Sequence, residues 1–478
     1  MLAERPEAPA RPGWRAGLWD AGPLAAAGIA ANGASLLVTL VLARLLAARD
    51  YGALVQLIGV FFVVSTPGSA VLVAVVRRVT RWTGSLGGVH RWGAGVHRRA
   101  TWVLVLFAAA VLAAGPPVAS LLGRPDALGF DAVAVAGAVW VLLCVDRGLL
   151  QAHREYRVLS KNLLLEGGAR TVFMISFGAA GLGVSGVAAG VLVAELCTAA
   201  HARFVGDRAW RAEGGGGAAR TRRPARAAAA AALGSWLGAW RRAGPYGRDA
   251  VVRRDLVAAV VALACVAVLQ NIDVIVVGRE APRAAGAYAA VSVSSKALVF
   301  VAVAVAGYLL PEAAISWRAG RHALHQLFVT LAVLAAPALV LVTVAAAVPR
   351  PFLATAFSGR YVSAAGAFLP LALAMVCLSV TVVVTMYLLG VGDRLFVAAL
   401  VGAAVLAAVA VSLAKGAPRA TALADLGVQG ALLCAAVGEL ARVHRAQAAC
   451  SPPSGSSGDA RAAPWLRRVR AASLSRSR

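Results

Sequence analysis

An all-α polytopic membrane protein with about twelve transmembrane helices is the fold class this sequence predicts, and three observations predict it. Of 478 residues, 60% are hydrophobic and only 14% charged, with a mean hydropathy of +0.77, whereas soluble domains carry roughly 25% charged residues. Uncharged runs recur along the whole chain, and about 20 such residues take a helix across the ~30 Å hydrocarbon core. The runs are rich in Ala, Leu and Gly and lack the alternation of a barrel strand. Lipid offers no partners to backbone N–H and C=O groups, so such runs must be helical.

The first span, 21–43, follows a short N-terminal tail, 1–20. It lacks a convincing Ala-x-Ala cleavage site before its arginine and reads as a retained helix rather than a signal peptide. The second (53–76) and third (100–122) flank a basic connector from Arg77 to Arg99. The fourth (129–151) carries Asp146 and Arg147 near its end, the fifth (162–182) Glu166 and Arg170, and the sixth (185–204) Glu195. The longest interruption, 205–254, holds GGGG at 214–217 and RTRRPAR at 220–226, a composition that cannot bury a core. Within it Trp236 and Trp240 stand four apart before Arg241 and Arg242. That spacing suits a helix lying on an anionic inner surface; a plain Ala-rich helix or disorder is the alternative. Spans seven to twelve follow at 256–278, 287–311, 326–348, 362–390, 395–414 and 424–441, the last being short. The expected domains are thus a tail (1–20), a six-helix half (21–204), a basic linker (205–254), a second six-helix half (255–441) and a basic tail (442–478).

The formal net charge of +26 invites a nucleic-acid reading, which the placement of the charge opposes. With the N-terminus inside, 34 of the 47 Lys and Arg fall on inside segments, nine on outside loops and four within spans. This is the positive-inside pattern, and it places both termini in the cytoplasm. Cys144, Cys197, Cys265, Cys377, Cys434 and Cys450 form no C-x-x-C pair and read as small apolar side chains. The histidines show no ligand spacing and no Walker loop is present, so the sequence implies no metal, cofactor or ATP hydrolysis. The preponderance of Arg over Lys suggests a bacterial source with a GC-rich genome.

The halves share a faint likeness. In ANGASLLVTLVLARLLAARDYGALVQL and LQNIDVIVVGREAPRAAGAYAAVSVS an Asn lies within a helix, a short charged connector follows, and a Tyr opens the next span (Asn32 to Tyr51; Asn271 to Tyr288). Parallel repeats of this kind mark many transporters.

Five stretches, LARLLAARDYGAL (42–54), RGLLQAHREYRVLSKNLLLEGGAR (147–170), LQNIDVIVV (269–277), AGAYAAVSVSSKALVFV (285–301) and YLLPEA (308–313), carry a resemblance in their order and position. They look like the polysaccharide-flippase branch of the multidrug/oligosaccharidyl-lipid/polysaccharide exporter superfamily, over nearly all of 20–440. The resemblance implies two six-helix lobes around a central cavity that opens alternately to each side. It also implies a lipid-linked oligosaccharide as cargo, carried on a polyprenyl diphosphate.

Charged groups inside spans are the candidates for chemistry, because each is disfavoured by about 2.5–3.5 kcal/mol on insertion scales unless paired or wetted. Asp273 lies two thirds through span seven, with Asn271 just before it. Residues two apart on a helix lie about 200° apart, so one of them faces the cavity and the other a neighbouring helix. Asp273 is a candidate for a coupling cation, H+ or Na+, or for an ion pair. Lys296, about 14 Å into span eight, could pair with Asp273 or meet the cargo diphosphate. Arg147, and Arg170 four residues after Glu166, could form an ion pair near the inner surface or recruit a pyrophosphate. Asn32 could bind a sugar hydroxyl or a neighbouring helix. Glu195 and Glu312 suit structural pairing.

The leading expectation is a flippase, not an enzyme, in the bacterial cytoplasmic membrane, acting with membrane lipids and with polysaccharide-assembly proteins as candidate partners. A cation-coupled multidrug exporter of the same superfamily is the alternative. A membrane glycosyltransferase or polymerase is less supported, since the outer loops are short and hold no paired carboxylates. A scaffold would not explain buried charges in separate spans.

Overall fold

The computed structural model of the chain describes residues 14–80, 86–123, 127–153, 155–213, 247–318, 324–391, 393 and 395–450. Most of the expected linker, with Trp236 and Trp240, lies outside the described residues, as do positions 1–13, the tail from 451 and the side chain of Glu312.

The apolar runs wind into helices α1 (Trp14–Leu45), α2 (Ala48–Ser65), α3 (Pro67–Thr80), α4 (Leu86–Leu121), α5 (Leu128–Ala152), α6 (Tyr156–Ala179) and α7 (Gly183–Glu213). The second half contains α8 (Gly247–Glu280), α9 (Pro282–Arg318), α10 (Leu324–Ala347), the short α11 (Pro349–Ala356) and a 3-10 helix (Gly359–Ala367). It ends with α12 (Phe368–Val391), α13 (Leu395–Leu413) and α14 (Pro418–Cys450). Two units are distinguished, Met1–Ala436 and Val437–Arg478. In the described part of the second, Arg442 Nε donates to both Glu439 carboxylate oxygens at 3.0 Å.

Three local features differ from the simple span pattern. Among the described residues eleven stretches are long and apolar enough to cross a membrane, and α6 is not one of them. With 24 residues it is long enough, at about 1.5 Å per residue, but Arg157, Lys161, Glu166 and Arg170 dilute its apolar character. The second span breaks at Thr66 into α2 and α3, because Pro67 has no N–H to continue the ladder and its ring clashes with the preceding turn. Thr66 satisfies the break locally, its hydroxyl donating to Phe62 O at 2.5 Å. Ahead of the tenth span, α11 begins at a proline, which is tolerated in a first turn, and the 3-10 helix follows it.

In the first half α1 packs on α6, and α5 packs on α3, α4 and α7. In the second α9 packs on α12 and α10, and α8 packs on α13. Leu106 and Leu112 of α4, and Val405 and Leu406 of α13, are exposed apolar side chains, as lipid-facing surfaces require. The halves meet chiefly where α2 lies against α8 and α9.

Small residues make that seam possible. A Cβ at Gly52 of α2 would stand 2.5 Å from Gly286 N of α9, and one at Gly286 would run into the Ala48 carbonyl oxygen. Glycine on glycine lets the two backbones touch, the usual device where lipid removes the hydrophobic drive between helices. Deeper in the seam the buried Gln56 amide donates to Leu122 O at 3.0 Å and to Ile275 O at 3.1 Å, tying α2 to α8. Phe62 and Phe300 meet across the seam with ring centroids 5.3 Å apart.

Candidate functional site

Three helices each place polar side chains at every fourth residue, which aligns them along one face. On α6 the stripe is Asn162, Glu166 and Arg170; on α9 it is Tyr288, Ser292 and Lys296; on α14 it is Thr421, Asp425 and Gln429.

The α6 stripe knits together the first half. Arg147 of α5 donates Nε to Asn162 Oδ1 at 2.8 Å, and its Nη2 lies 2.6 Å from Glu166 Oε2. The other Glu166 oxygen takes Arg170 Nη2 at 2.7 Å. Arg170 continues to Glu195 of α7, donating Nε to Oε1 at 2.8 Å, with Nη2 on the same oxygen. Asn162 Nδ2 in turn donates to Thr198 O at 3.0 Å and lies 3.2 Å from His201 Nδ1. Two guanidinium groups thus alternate with two carboxylates in a chain of zero net charge. That composition offsets the desolvation each ion would suffer alone.

Arg147 and Glu166 are buried, but the Arg170 side chain is 16% exposed. Its guanidinium also sits 5.0 Å from the Phe61 ring centroid, a cation–π arrangement. The described bonds of Arg170 use Nε and Nη2, which leaves the Nη1 edge as the donor surface not directed at a carboxylate. One turn away, α1 crosses α6 so closely that a Cβ on Gly167 would stand 3.0 Å from Ala31 Cα. Beside that crossing Asn32 is exposed. The arginine fork is geometric: Arg170→Lys should lower stability by about 1–3 kcal/mol, since one ammonium cannot bridge Glu166 and Glu195 as a planar fork does. The thermal midpoint of the purified protein reads this out, and an unchanged midpoint would show that the fork contributes nothing.

A second polar group lies nearer the cluster's α4 side, where His97 Nδ1 is 3.1 Å and Arg203 Nη1 3.7 Å from Asp146 Oδ1.

In the second half Asp273 is fully buried and receives three donors from the α9 stripe. Lys296 Nζ lies 2.9 Å from Oδ1, while Tyr288 OH and Ser292 Oγ donate to Oδ2 at 3.0 and 3.1 Å. Lys296 is placed fourteen residues into α9, deeper than the span estimate, and reaches back toward the helix start as helical side chains do. Asn271 turns the other way, its Cβ 3.5 Å from the position a Cβ would take on Gly59 of α2, and its amide donates to Ala267 O at 2.9 Å. The pair two residues apart thus serves two interfaces. Arg147, Asn271 and Lys296, for which pairing or helix packing is the alternative to facing a cavity, are all buried, whereas Asn32 and Arg170 keep exposed surface.

Asp425 was not singled out by the sequence, because a span starting at 424 put it at the membrane edge. α14 begins at Pro418, which takes Asp425 about 10 Å into the helix. It is fully buried, within electrostatic reach of Asp273 and Lys296. Gln429 Nε2 donates to Asp425 Oδ1 at 3.3 Å and to Leu269 O at 3.4 Å. Asp425 Oδ2, Gln429 Oε1 and Thr421 Oγ1 are buried without a hydrogen-bond partner among the described residues. Three oxygens on one helix face beside an ion pair are the donor set suited to a proton or a small monovalent cation. No cluster of three or more His, Cys, Asp or Glu arranged for a metal ion occurs among the described residues.

No protein-family model and no curated protein sequence matches the chain; its likeness is to solved structures. A multidrug resistance MATE family transporter of the MOP superfamily, in an inward-facing conformation, superposes with a TM-score of 0.59 at 11% identity, over 86% of this chain and 95% of its own. The lipid II flippase MurJ, in an inward closed conformation, gives 0.62 at 10% identity over 87% of each chain. A mutant of the Vibrio cholerae MATE transporter VcmN gives 0.54 at 13% identity, over 89% of this chain and 96% of its own. At these identities the likeness is one of fold. The fold is that of these transporter structures, an all-helical bundle with two lobes.

Proposed function

We propose that the protein is a flippase that moves a polyprenyl-diphosphate-linked oligosaccharide across the bacterial cytoplasmic membrane by alternating access, for cell-surface polysaccharide assembly. The observation that carries this reading is the Arg170 guanidinium. Two carboxylates and the Phe61 ring hold it in place while Nη1 takes no described bond and the side chain stays 16% exposed, which suits a group that docks and releases a diphosphate. Asn32, exposed beside the same crossing, supplies a hydrogen-bonding amide for sugar hydroxyls. In this reading both termini are cytoplasmic, the halves part and close along the α2 seam, and the group around Asp425 couples transport to H+ or Na+. Lys296 acts as a fixed counter-charge to Asp273 rather than as a cargo ligand.

A second reading is a cation-coupled exporter of cationic compounds. It is supported by the carboxylate surplus at Asp425 and by the fold shared with MATE transporters. One experiment separates the two. Proteoliposomes holding the full chain are loaded with a fluorescent polyprenyl-diphosphate oligosaccharide, and its arrival at the other leaflet is followed with a membrane-impermeant quencher under imposed proton or sodium gradients. The flippase reading expects translocation that responds to one gradient, and loss of that response in Asp425→Asn with folding intact. A static labelled lipid, together with gradient-driven movement of ethidium in the same vesicles, would replace the flippase by the exporter.

A further inference from the structure

We propose that Arg44, Arg360 and Tyr361 form a latch that pins together the α1-exit ends of the two halves and comes apart when the protein opens on that side. The latch is a reciprocal capping of two helix ends. At the end of α1, Ala43 O accepts from Tyr361 OH at 2.6 Å, and Arg360 donates Nη1 to Leu46 O at 3.0 Å and Nη2 to Arg44 O at 3.4 Å. At the end of α11, Thr355 O and Ala356 O accept from Arg44 Nη2 at 2.7 and 3.2 Å. The last carbonyls of a helix have no partners within it and carry the negative end of its dipole, so a guanidinium from elsewhere is the donor they favour. Here each half supplies an arginine to the other half's helix end.

The elements that carry these groups belong to different packing groups. α1 rests on α6, while the 3-10 helix bearing Arg360 and Tyr361 rests on α9. Around them an aromatic knot crosses between the halves: the Tyr361 ring stands 5.4 Å from Tyr51 and 6.2 Å from Phe357, and the Arg360 guanidinium lies 5.7 Å from the Tyr361 ring. Tyr361 is fully buried, whereas Arg44 and Arg360 are exposed. Hydrogen bonds at such an exposed site are exchanged for bonds to water, so each arginine weights the closed state by only about a factor of ten, which suits a contact made and broken in each cycle. The buried tyrosine hydroxyl supplies the geometric register.

The inference rests on the alternating-access reading, but its test involves no cargo. The full-length protein in nanodiscs, with native cysteines replaced by alanine, is spin-labelled at Arg49→Cys and Arg283→Cys. These exposed positions lie in the first turns of α2 and α9. The parent should give a predominantly short interlabel distance. Arg44→Ala, Arg360→Ala and the milder Tyr361→Phe should each raise the ratio of long- to short-distance populations, by about tenfold for the arginines, as expected when a charge-assisted bond to a carbonyl is lost. Arg350→Ala, which removes the same charge from α11 but from a residue with no described bond to α1, should match the parent. Distance distributions unchanged in all three latch variants, or an equal shift in Arg350→Ala, would overturn the latch. A shift in latch variants of a protein that flips no sugar-lipid leaves the latch standing and removes only the substrate assignment.

Discussion

Asp273→Ala should destabilise the folded protein by about 3–5 kcal/mol, the usual effect of removing one member of a buried ion pair. The loss would exceed that of a single hydrogen bond because Lys296, Tyr288 and Ser292 all point at this carboxylate. Removing it leaves an ammonium and two hydroxyl donors buried without their acceptor. Adding Lys296→Met should recover most of the stability, since a thioether of similar length fills the space with no charge to satisfy. Denaturation of the detergent-solubilised protein measures both variants. A double variant no more stable than the single one would mean that the pair is not a unit.

Gly286→Val should cut transport about tenfold or more while leaving membrane insertion intact. The obstacle is backbone, not a flexible side chain: the added Cβ would occupy the place of the Ala48 carbonyl oxygen. Ends of α2 and α9 that now touch would be pushed apart. Overpacking of this kind destabilises the strained arrangement by about 1–3 kcal/mol, which biases a two-state closing equilibrium by one to two orders of magnitude. Gly402→Val is the matching control, because a Cβ there meets nothing within 4 Å. If the two variants transported equally well, the glycine seam would have no part in closing.

The helical class was legible because lipid admits few alternatives, and the apolar runs mark the helices directly. Helix ends were less so. Pro67 divides the second span, although apolar residues continue past it, and α14 starts at Pro418, which sets Asp425 in the interior where a span from 424 sets it at the membrane edge. The Glu166 and Arg170 pairing was readable from their four-residue spacing. The same spacing in Tyr288, Ser292 and Lys296 carries no signal in the sequence, because hydroxyl residues are common on membrane helices and gain meaning only when a carboxylate faces them. Nothing local in the sequence could place Arg44 against Thr355 or Gln56 against Ile275, since those neighbours are brought together only by the packing of distant helices.

Among the described residues three largely buried ion pairs join consecutive helices of the chain: Arg147 of α5 with Glu166 of α6, Arg170 of α6 with Glu195 of α7, Asp273 of α8 with Lys296 of α9. For biogenesis this matters more than the final architecture. A segment leaving the translocon with a lone ion would be held back, but consecutive segments can partition into the bilayer as a self-neutralised hairpin, before any later segment is synthesised.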